Sequence, residues 1–476
     1  MGILNCQTTP STASPSPLRD LKVTIHSSSL VFPFQETERK SMFLSNIDQV
    51  LNFDVQTVHF FPAHKDFPDP RVLAEKVRET LGKLLVPYDF LAGRLKLNGE
   101  TGHLEIDCNA SGVGFAVASS EFILDEIGDL VSPNPAFEQL ASTNLDISKQ
   151  DATDRPLCIV QVTSFKCGGF AMGFTNNHTT FDGISFKLFL ENLAALAANK
   201  PLAIAPCNNR QLLAARSPPR VTFPHPELLK LNIANQQDPD PSVFQVTNED
   251  LVFKIFSLSF NDISNLKEEA KFTSSTNTNG SMITSFNVVT AFIWRCKALS
   301  YDAVENMERE STILYAVDIR QRVNPPLPKS YTGNAVLTAY ATGKCKELVE
   351  RPFCKIVEMV AEGARRMTND YARSAIDWGE VNKGFPHGEV MISSWWRLGF
   401  AEVEYPWGKP SYSCPVVYHK KDIILLFPEI AGDDHEGGEN RKNGGGVNIL
   451  LALPVKEMGK FEEFFNKYLF GSKDLN

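Results

Sequence analysis

Hydrophobic and polar positions along the chain alternate between a strand-like and a helix-like pattern. Runs rich in Val, Ile and Phe, such as residues 157–165 (LCIVQVTSF) and 168–177 (GGFAMGFTNN), are typical of β-strands. Residues 184–200 (ISFKLFLENLAALAANK) instead repeat their apolar positions at helical spacing. The stretch 174–186, FTNNHTTFDGISF, joins the second run to this helix. The pattern therefore predicts a strand, a polar turn and a helix in that order.

The same alternation begins again in the second half of the chain. It predicts helices at 263–272 and 284–299, and one longer helix over 346–367. In the first half, the segment 78–95 starts as an amphipathic helix that Pro87 stops. Strands and helices of both halves thus predict mixed α/β structure throughout.

A proline-rich stretch without either period, residues 201–226, separates the two halves. A chain of 476 residues is also long for a single hydrophobic core, which makes two domains the natural expectation. We therefore predict an N-terminal domain over residues 1–200, a crossover linker over 201–226 and a C-terminal domain over 227–476.

Composition and charge restrict the class of protein. Hydrophobic residues make up 43% and charged residues 22% of the chain, as expected of a folded globular protein. The net charge of −9 argues against a nucleic acid or an anionic membrane as partner, because phosphate contacts need clustered Lys and Arg. We also find no apolar run long enough to span a bilayer.

The nine cysteines are scattered and form no CxxC pair, so the sequence predicts neither a zinc site nor a disulfide framework. Free thiols suit a reducing cytosol, and the first residues lack the basic start and apolar core of a secretory signal. We expect a cytoplasmic protein without a metal.

Standard catalytic signatures are missing from the chain. It contains no GxSxG, no GxxxxGK[ST], no GxGxxG after a strand and no HExxH. The polar turn instead carries His178 and, four positions later, Asp182. An imidazole there can act as general base toward a hydroxyl or an amine. The same pair also fits a metal-ligand pair or a structural turn, and the spacing alone leaves these readings open.

A second segment with chemical potential lies near the C-terminus. Residues 393–415 (SSWWRLGFAEVEYPWGKPSYSCP) combine tryptophan, glycine, lysine and proline in one tight loop. Such a loop is either a packed aromatic turn or an indole donor placed near a site.

These segments carry a resemblance to a known family. HTTFDG at 178–183 together with YPWGKP at 405–410 resembles the HxxxD and DFGWG motifs of the plant BAHD acyltransferases. Four further blocks resemble family blocks in the expected order: SNIDQ (45–49), YDFLAGRL (88–95), FNVVTAFIWR (286–295) and VDIRQRVNPPLPKSYTGN (317–334). The resemblance therefore extends along the whole chain.

The resemblance implies acyl transfer from a coenzyme A thioester to an alcohol or an amine. His178 would be the general base, and Trp407 would lie near the channel as an oxyanion donor. Asp182 would pair with Arg320 and support the turn structurally. The implied fold has two chloramphenicol-acetyltransferase-like domains of mixed α/β sheets, which flank a solvent channel and are joined by a long crossover loop.

The resemblance also implies where the co-substrate binds. Acyl-CoA would be a co-substrate, with no tightly bound cofactor. Its expected contacts are Ser285, the loop of Tyr331, Thr332, Gly333 and Asn334, and Lys254 for the phosphates.

The acceptor is predicted from the aromatic residues near the motifs. Phe181, Trp395 and Phe400 suit a flat phenylpropanoid acceptor such as a hydroxycinnamyl alcohol. We expect a monomer acting on this small molecule. Three alternatives stay open, namely an amine acceptor, a non-catalytic scaffold protein with the family fold, and a peptide-condensation domain.

One departure from the family pattern stands in the second motif. The family Asp-Phe-Gly is replaced by Glu404, Tyr405 and Pro406. Proline removes a backbone N–H and fixes φ, so we expect a locally altered loop with activity retained.

Overall fold

The computed structural model describes residues 18–145, 154–231, 249–272, 283–301, 307–416, 421–429 and 445–471. The strands of these residues, in chain order, are β1 (Val23–Val31), β2 (Lys40–Phe43), β3 (Asp54–Phe61), β4 (Arg94–Leu97), β5 (Leu104–Cys108), β6 (Val113–Ser120), β7 (Cys158–Ser164), β8 (Phe170–Asn177), β9 (Leu228–Lys230), β10 (Leu251–Leu258), β11 (Glu310–Asp318), β12 (Val336–Lys344), β13 (Gly384–Pro386), β14 (Val390–Ser394), β15 (Tyr412–Pro415), β16 (Ile423–Pro428) and β17 (Val447–Pro454).

The α-helices of the same residues are α1 (Asn46–Gln49), α2 (Pro70–Leu84), α3 (Gly183–Ala197), α4 (Phe260–Phe272), α5 (Ser285–Ser300), α6 (Cys345–Glu350), α7 (Phe353–Arg366), α8 (Asn369–Val381) and α9 (Val455–Phe470). Short 3₁₀ helices span Asp89–Ala92, Leu124–Ile127, Pro135–Leu140, Arg210–Leu213 and Phe400–Glu402. None of the described helices is long and apolar enough to cross a membrane.

Two six-stranded sheets form the framework. The first has the order β1-β6-β7-β8-β3-β15, and the second has the order β10-β17-β16-β14-β11-β12. Both mix parallel and antiparallel neighbours: β6 and β7 run parallel in the first sheet, as do β11, β14 and β16 in the second. Smaller sheets pair β9 with β13 and join β2, β5 and β4. The predicted mixed α/β class is confirmed.

Each large sheet has its own hydrophobic core. Helices α2 and α3 pack with the first sheet, around residues such as Phe61, Phe174 and Phe189. Helices α5, α7 and α9 pack with the second sheet, around residues such as Trp294 and Phe461. Two separate cores support a two-lobed arrangement, and the site described below lies where the two meet.

Strand β15 qualifies the predicted division of the chain. It lies within the expected C-terminal range 227–476, yet it pairs antiparallel with β3 in the first sheet. Phe400, Tyr405 and Trp407, just before it, also pack in the first core. The first sheet and its core therefore include residues of the predicted C-terminal range, and the boundaries 1–200, 201–226 and 227–476 stay a prediction. Strand β15 covers the edge of β3 that β8 leaves unpaired. Nothing in the local sequence of β15 indicates which strand it will pair with.

The long helix predicted over 346–367 is wrong as one element. The structure divides it into α6 and α7 at Pro352. Arg351 before the proline is extended (φ −72°, ψ 144°), because the proline ring disfavours helical geometry in the preceding residue. The helices predicted at 263–272 and 284–299 correspond to α4 and α5.

Candidate active site

The predicted strand, turn and helix around His178 are present. Strand β8 ends at Asn177, α3 begins at Gly183, and the residues between them form the turn. The His178 N–H donates to the Phe53 carbonyl at 2.8 Å, just before β3. The Phe53 and His178 rings lie 5.3 Å apart. The turn is therefore held against the neighbouring strand of the first sheet.

His178 faces a cavity of about 800 Å³ whose walls come from both lobes. The first lobe contributes Phe53, Thr57 and Asn176, and the second contributes Thr338 and Ser393. The aromatic side chains in contact with the cavity are Phe53, Phe181, Phe186, Trp378, Phe385, Trp395 and Phe400. The walls are mainly apolar with a few polar groups, which is the usual character of a small-molecule site.

The predicted pocket residues Phe181, Trp395 and Phe400 all contact this cavity. Phe53, Phe186, Trp378 and Phe385 also contact it, although the sequence did not single them out. They belong to segments far apart in the chain, and nothing local distinguishes them from ordinary core aromatics.

The Asp182 carboxylate is bonded by Arg320 and by two backbone N–H groups. Its carboxylate accepts from Arg320 Nη2 at 2.9 Å, and the two groups form a buried ion pair. It also caps α3 by accepting from the Ser185 N–H at 2.9 Å, and it accepts from the Ala335 N–H at 3.0 Å. The Asp182–Arg320 contact expected from the resemblance is thus present. This one carboxylate therefore ties together three donors from three segments: the start of α3, Arg320 and Ala335.

The charge of Arg320 is maintained in spite of its burial. Burial opposes the charged form, but the carboxylates of Asp182 and Asp318 outweigh it and raise the pKa of Arg320 above its ordinary value. The guanidinium also donates to the Ser185 hydroxyl and to the Gly333 carbonyl. The ion pair is therefore part of a network that joins α3 to the loop before β12.

The loop predicted to meet coenzyme A lies inside the molecule. Tyr331, Thr332 and Asn334 are fully buried, with 0% exposure. The Thr332 hydroxyl donates to the Asn208 side chain at 2.9 Å, and the Tyr331 carbonyl accepts from the Ser185 hydroxyl. Of the four predicted loop residues only Asn334 contacts the cavity. The structure thus gives this loop a role in joining the lobes, and its contact with coenzyme A stays a prediction.

The two remaining residues predicted for coenzyme A are not among those that line the cavity. Lys254 lies on β10 and pairs with Glu462 at 2.5 Å. Ser285 is the first residue of α5, directly after the capping residue Thr284. The structure does not bring Lys254 and Ser285 to His178.

The structure places Trp407 in the core of the first lobe. Its side chain is 1% exposed, stacks on Tyr405 at 5.2 Å and meets the edge of Phe67 at 5.9 Å. Its indole N–H has no hydrogen-bond partner among the described residues. Trp407 is also not one of the cavity-lining residues, so the structure does not direct this donor at the place where an oxyanion would form. The burial of Trp407 is therefore explained by its packing in the core of the first lobe.

Pro406 fits the altered motif without disrupting the loop. The Tyr405 N–H donates to the Gly408 carbonyl, and the Gly408 N–H donates back to Tyr405. Gly408 adopts φ +97°, which glycine reaches readily. Proline is favoured at the second position of such a turn. Glu404 is exposed and lies 3.9 Å from Lys409, so the departures leave a closed turn.

Two charged residues near the site were assigned no role from the sequence, although the segments that contain them were noted. Asp48 of SNIDQ is 0% exposed, and Arg210 of the crossover is 1% exposed. They pair at 3.1 Å beneath the His178 turn. The signal in the sequence was a carboxylate in a block with no assigned role and an arginine in an otherwise proline-rich linker.

His59 on β3 lies under the cavity wall as a neutral polar group. Its ring contacts Phe174 at 5.4 Å and bonds the Ser413 hydroxyl at 2.8 Å. Burial lowers the pKa of His59 to about 3.

Within the described ranges, no three His, Cys, Asp or Glu side chains converge as metal ligands.

This chain is similar in sequence to a family of known proteins over most of its length. The family described as "Transferase family" matches residues 21–468. The chain is 61% identical over 457 residues to Acyltransferase GLAUCE of Arabidopsis thaliana, covering 95% of this chain and 97% of that protein. It is 33% identical over 439 residues to omega-hydroxypalmitate O-feruloyl transferase of the same plant, covering 92% and 91%.

Solved structures are similar over most of their length. Vinorine synthase aligns with a TM-score of 0.70 at 24% identity, covering 92% of this chain and 96% of that one. TRI101 of F. graminearum, solved with coenzyme A and deoxynivalenol, aligns with a TM-score of 0.68 at 16% identity, covering 89% and 97%. These likenesses show the fold, and the family match with the sequence identities shows that this chain belongs to the BAHD acyltransferases and is an acyltransferase.

Proposed function

We propose that this acyltransferase moves an acyl group from acyl-CoA to a hydroxyl group, with His178 as general base. The observation that carries the proposal is the position of His178 on an anchored turn at a cavity shared by both lobes, with Asp182 committed to Arg320. A catalytic imidazole needs such a fixed position, because general-base catalysis depends on a held geometry.

The reaction proceeds by direct attack within a complex of both substrates. The His178 imidazole takes the proton of the acceptor hydroxyl as its oxygen attacks the thioester carbonyl carbon. The resulting tetrahedral oxyanion collapses with cleavage of the carbon–sulfur bond. The thiolate of coenzyme A leaves and takes the proton from the imidazolium, which restores neutral His178. The products are the ester and free coenzyme A.

A flat aromatic acceptor of the hydroxycinnamyl alcohol type is supported by the cavity walls. Seven aromatic side chains contact the cavity, and they offer stacking and edge contacts to a planar ring. Polar groups such as Thr57, Asn176 and Ser393 interrupt the apolar wall and can orient a hydroxyl. The acceptor is accordingly a small molecule and acyl-CoA the co-substrate.

An amine acceptor is the second candidate. It is favoured by the likeness to anthranilate N-benzoyltransferase protein 1 of Dianthus caryophyllus, at 31% identity over 478 residues, covering 94% of this chain. The same imidazole would take the proton of an attacking amine.

We place the protein in the cytoplasm, because the eight described cysteines are free thiols, which suit a reducing compartment. We propose that it acts there as a monomer.

The test is an acyl-transfer assay with purified protein. Feruloyl-CoA and acetyl-CoA are each combined with a panel of hydroxycinnamyl alcohols, aliphatic alcohols and aromatic amines, and thiol release and product mass are followed. We expect ester formation with an aromatic alcohol, and amide formation as the main product would favour the second candidate.

Variants separate the base from the fold. His178→Ala is expected to reduce kcat by about 100- to 10,000-fold, the usual contribution of a general base. His26→Ala is the matched control, because His26 is exposed on β1, where its ring bonds the Ser119 hydroxyl at 2.7 Å. Full activity of His178→Ala would rule out His178 as the general base. A wild-type protein that is inactive with every donor and acceptor would favour the alternative of a non-catalytic scaffold protein.

A further inference from the structure

A second buried ion pair lies next to the His178 turn. Asp48 of α1 and Arg210 of the crossover form it, and their side chains are 0% and 1% exposed. The guanidinium also donates to the Thr180 carbonyl at 2.7 Å. Arg210 therefore contacts the turn itself. Residues from two segments far from the HxxxD motif thus meet at the backbone that carries His178.

Asn334 connects this ion pair to His178. Its side-chain amide donates to the Asp48 carboxylate at 2.7 Å and to the His178 carbonyl at 2.8 Å. Its backbone N–H also donates to Asp48, at 3.2 Å. Both amide protons are thus used by oxygen acceptors. The amide orientation is fixed, because a flipped side chain would place its oxygen against two other oxygens.

Both backbone groups of His178 are therefore anchored, since its N–H donates to Phe53 and its carbonyl accepts from Asn334. Asp48 in turn is held by the Ser45 N–H and hydroxyl at 2.9 and 2.7 Å. The carboxylate is surrounded by donors, which prevents the amide of Asn334 from rotating. Side-chain direction follows the backbone, so these anchors limit the orientations open to the imidazole.

Stability alone is a weak reason for such a group of buried charges. A buried ion pair is often no more stabilising than apolar residues of the same size, because both charges lose their hydration. A fixed geometry is the feature that a polar network provides and that an apolar replacement would lose.

We propose that Asn334, held by the Asp48 carboxylate with which Arg210 pairs, is a positioning residue for His178, acting through the His178 carbonyl rather than by contact with coenzyme A. This inference rests on the proposed function, since it assigns the geometry of the proposed base. Asp182 and Asn334 hold the turn from two sides: Asp182 holds its end at α3, and Asn334 holds its start after β8.

The experiment compares Asn334→Ala with Asn192→Ala. Asn192 is a matched control, because it is also 0% exposed and its side chain makes three hydrogen bonds, with Tyr88 and Ile204. Wild-type and variant proteins are assayed for kcat, for KM of feruloyl-CoA and of the acceptor, and for melting temperature. All rates are measured well below the melting temperatures.

We expect both variants to melt earlier, and only Asn334→Ala to lose rate. Its kcat should fall about 100-fold, the cost of a small misplacement of a catalytic group, while both KM values stay within about threefold. Arg210→Lys keeps the charge but cannot bridge Asp48 and Thr180 equally well, so about a tenfold loss of kcat is expected. This second variant serves if Asn334→Ala does not fold.

Three results would overturn the inference. The first is a kcat of Asn334→Ala equal to that of Asn192→Ala at the same loss of stability. The second is a rise in the KM of feruloyl-CoA with kcat retained, which would make Asn334 a binding residue for coenzyme A. The third is a wild-type kcat in Arg210→Lys. The proposed function fails separately, when His178→Ala keeps its rate.

Discussion

Replacing Asp182 with alanine tests whether this carboxylate is structural or catalytic. The change leaves Arg320 buried with Asp318 as its remaining carboxylate partner, 3.0 Å away and 40% exposed. Breaking a buried ion pair costs about 3–5 kcal/mol, and the loss of an N-cap about 1 kcal/mol. Since the contributions overlap and Asp318 compensates in part, we expect a loss of about 3–5 kcal/mol in unfolding free energy.

Melting temperature and rate give the assay. An unfolding entropy of roughly 2 cal/mol/K per residue, applied to this chain, converts the loss to a drop of about 3–5 °C. We expect kcat to fall about 10- to 100-fold, because the turn that carries His178 loses its anchor at α3. Asp182→Asn keeps a capping oxygen and should be less affected in both measurements.

Glu457→Ala supplies the control for stability alone. Glu457 pairs with the buried Lys297 at 3.4 Å and with Lys421 at 2.9 Å, next to the second sheet. This variant should melt earlier with an unchanged kcat. A large loss of kcat in Asp182→Asn with an unchanged melting temperature would refute the structural assignment and favour direct participation of Asp182 in catalysis.

Three further predictions concern stability. The neutral His59 of the folded protein takes up its proton only near pH 3, whereas the unfolded chain does so near 6.5, so stability is lost as the pH falls below 6.5. At pH 5 the loss should be about 2 kcal/mol, and urea titrations should show a flatter pH dependence for His59→Gln; an equal slope would contradict the cause. Tyr405→Phe should raise stability by about 1 kcal/mol in urea unfolding, because the buried hydroxyl has no partner among the described residues; an earlier transition would indicate a bonded hydroxyl. Ser374→Ala should lower stability by about 2–4 kcal/mol, since the Ser374 hydroxyl bonds two backbone N–H groups and His225, while Ser264→Ala, which loses one bond, should change it by about 1 kcal/mol or less; equal losses would refute the count of partners.

Local sequence was enough to predict the element that carries His178. A run of strand residues, a polar turn and a helical repeat meet in 174–186, and β8, the turn and α3 follow that order. Asp182 and Gly183 mark the helix start through short-range capping, which requires no distant contact. The family resemblance added the partner, Arg320, which no spacing indicated.

Distant pairing was beyond the reach of the sequence. Strand β15 joins the first sheet although it lies far along the chain from β3, and Trp407 is drawn into that core with it. Hydrophobic patterning shows that a segment will be buried but not against which partner, because each apolar surface fits many others about equally well.

The sequence by itself determined the class of fold, the family and the turn that carries His178, because these depend on local periodicity and on contiguous motifs. The tertiary structure decided what holds that turn. Asp48 and Asn334 stand 286 positions apart, yet one carboxylate and one amide fix the His178 carbonyl. Such contacts arise only when two lobes pack and buried polar groups must find partners, and the partner of each group is chosen by geometry in space.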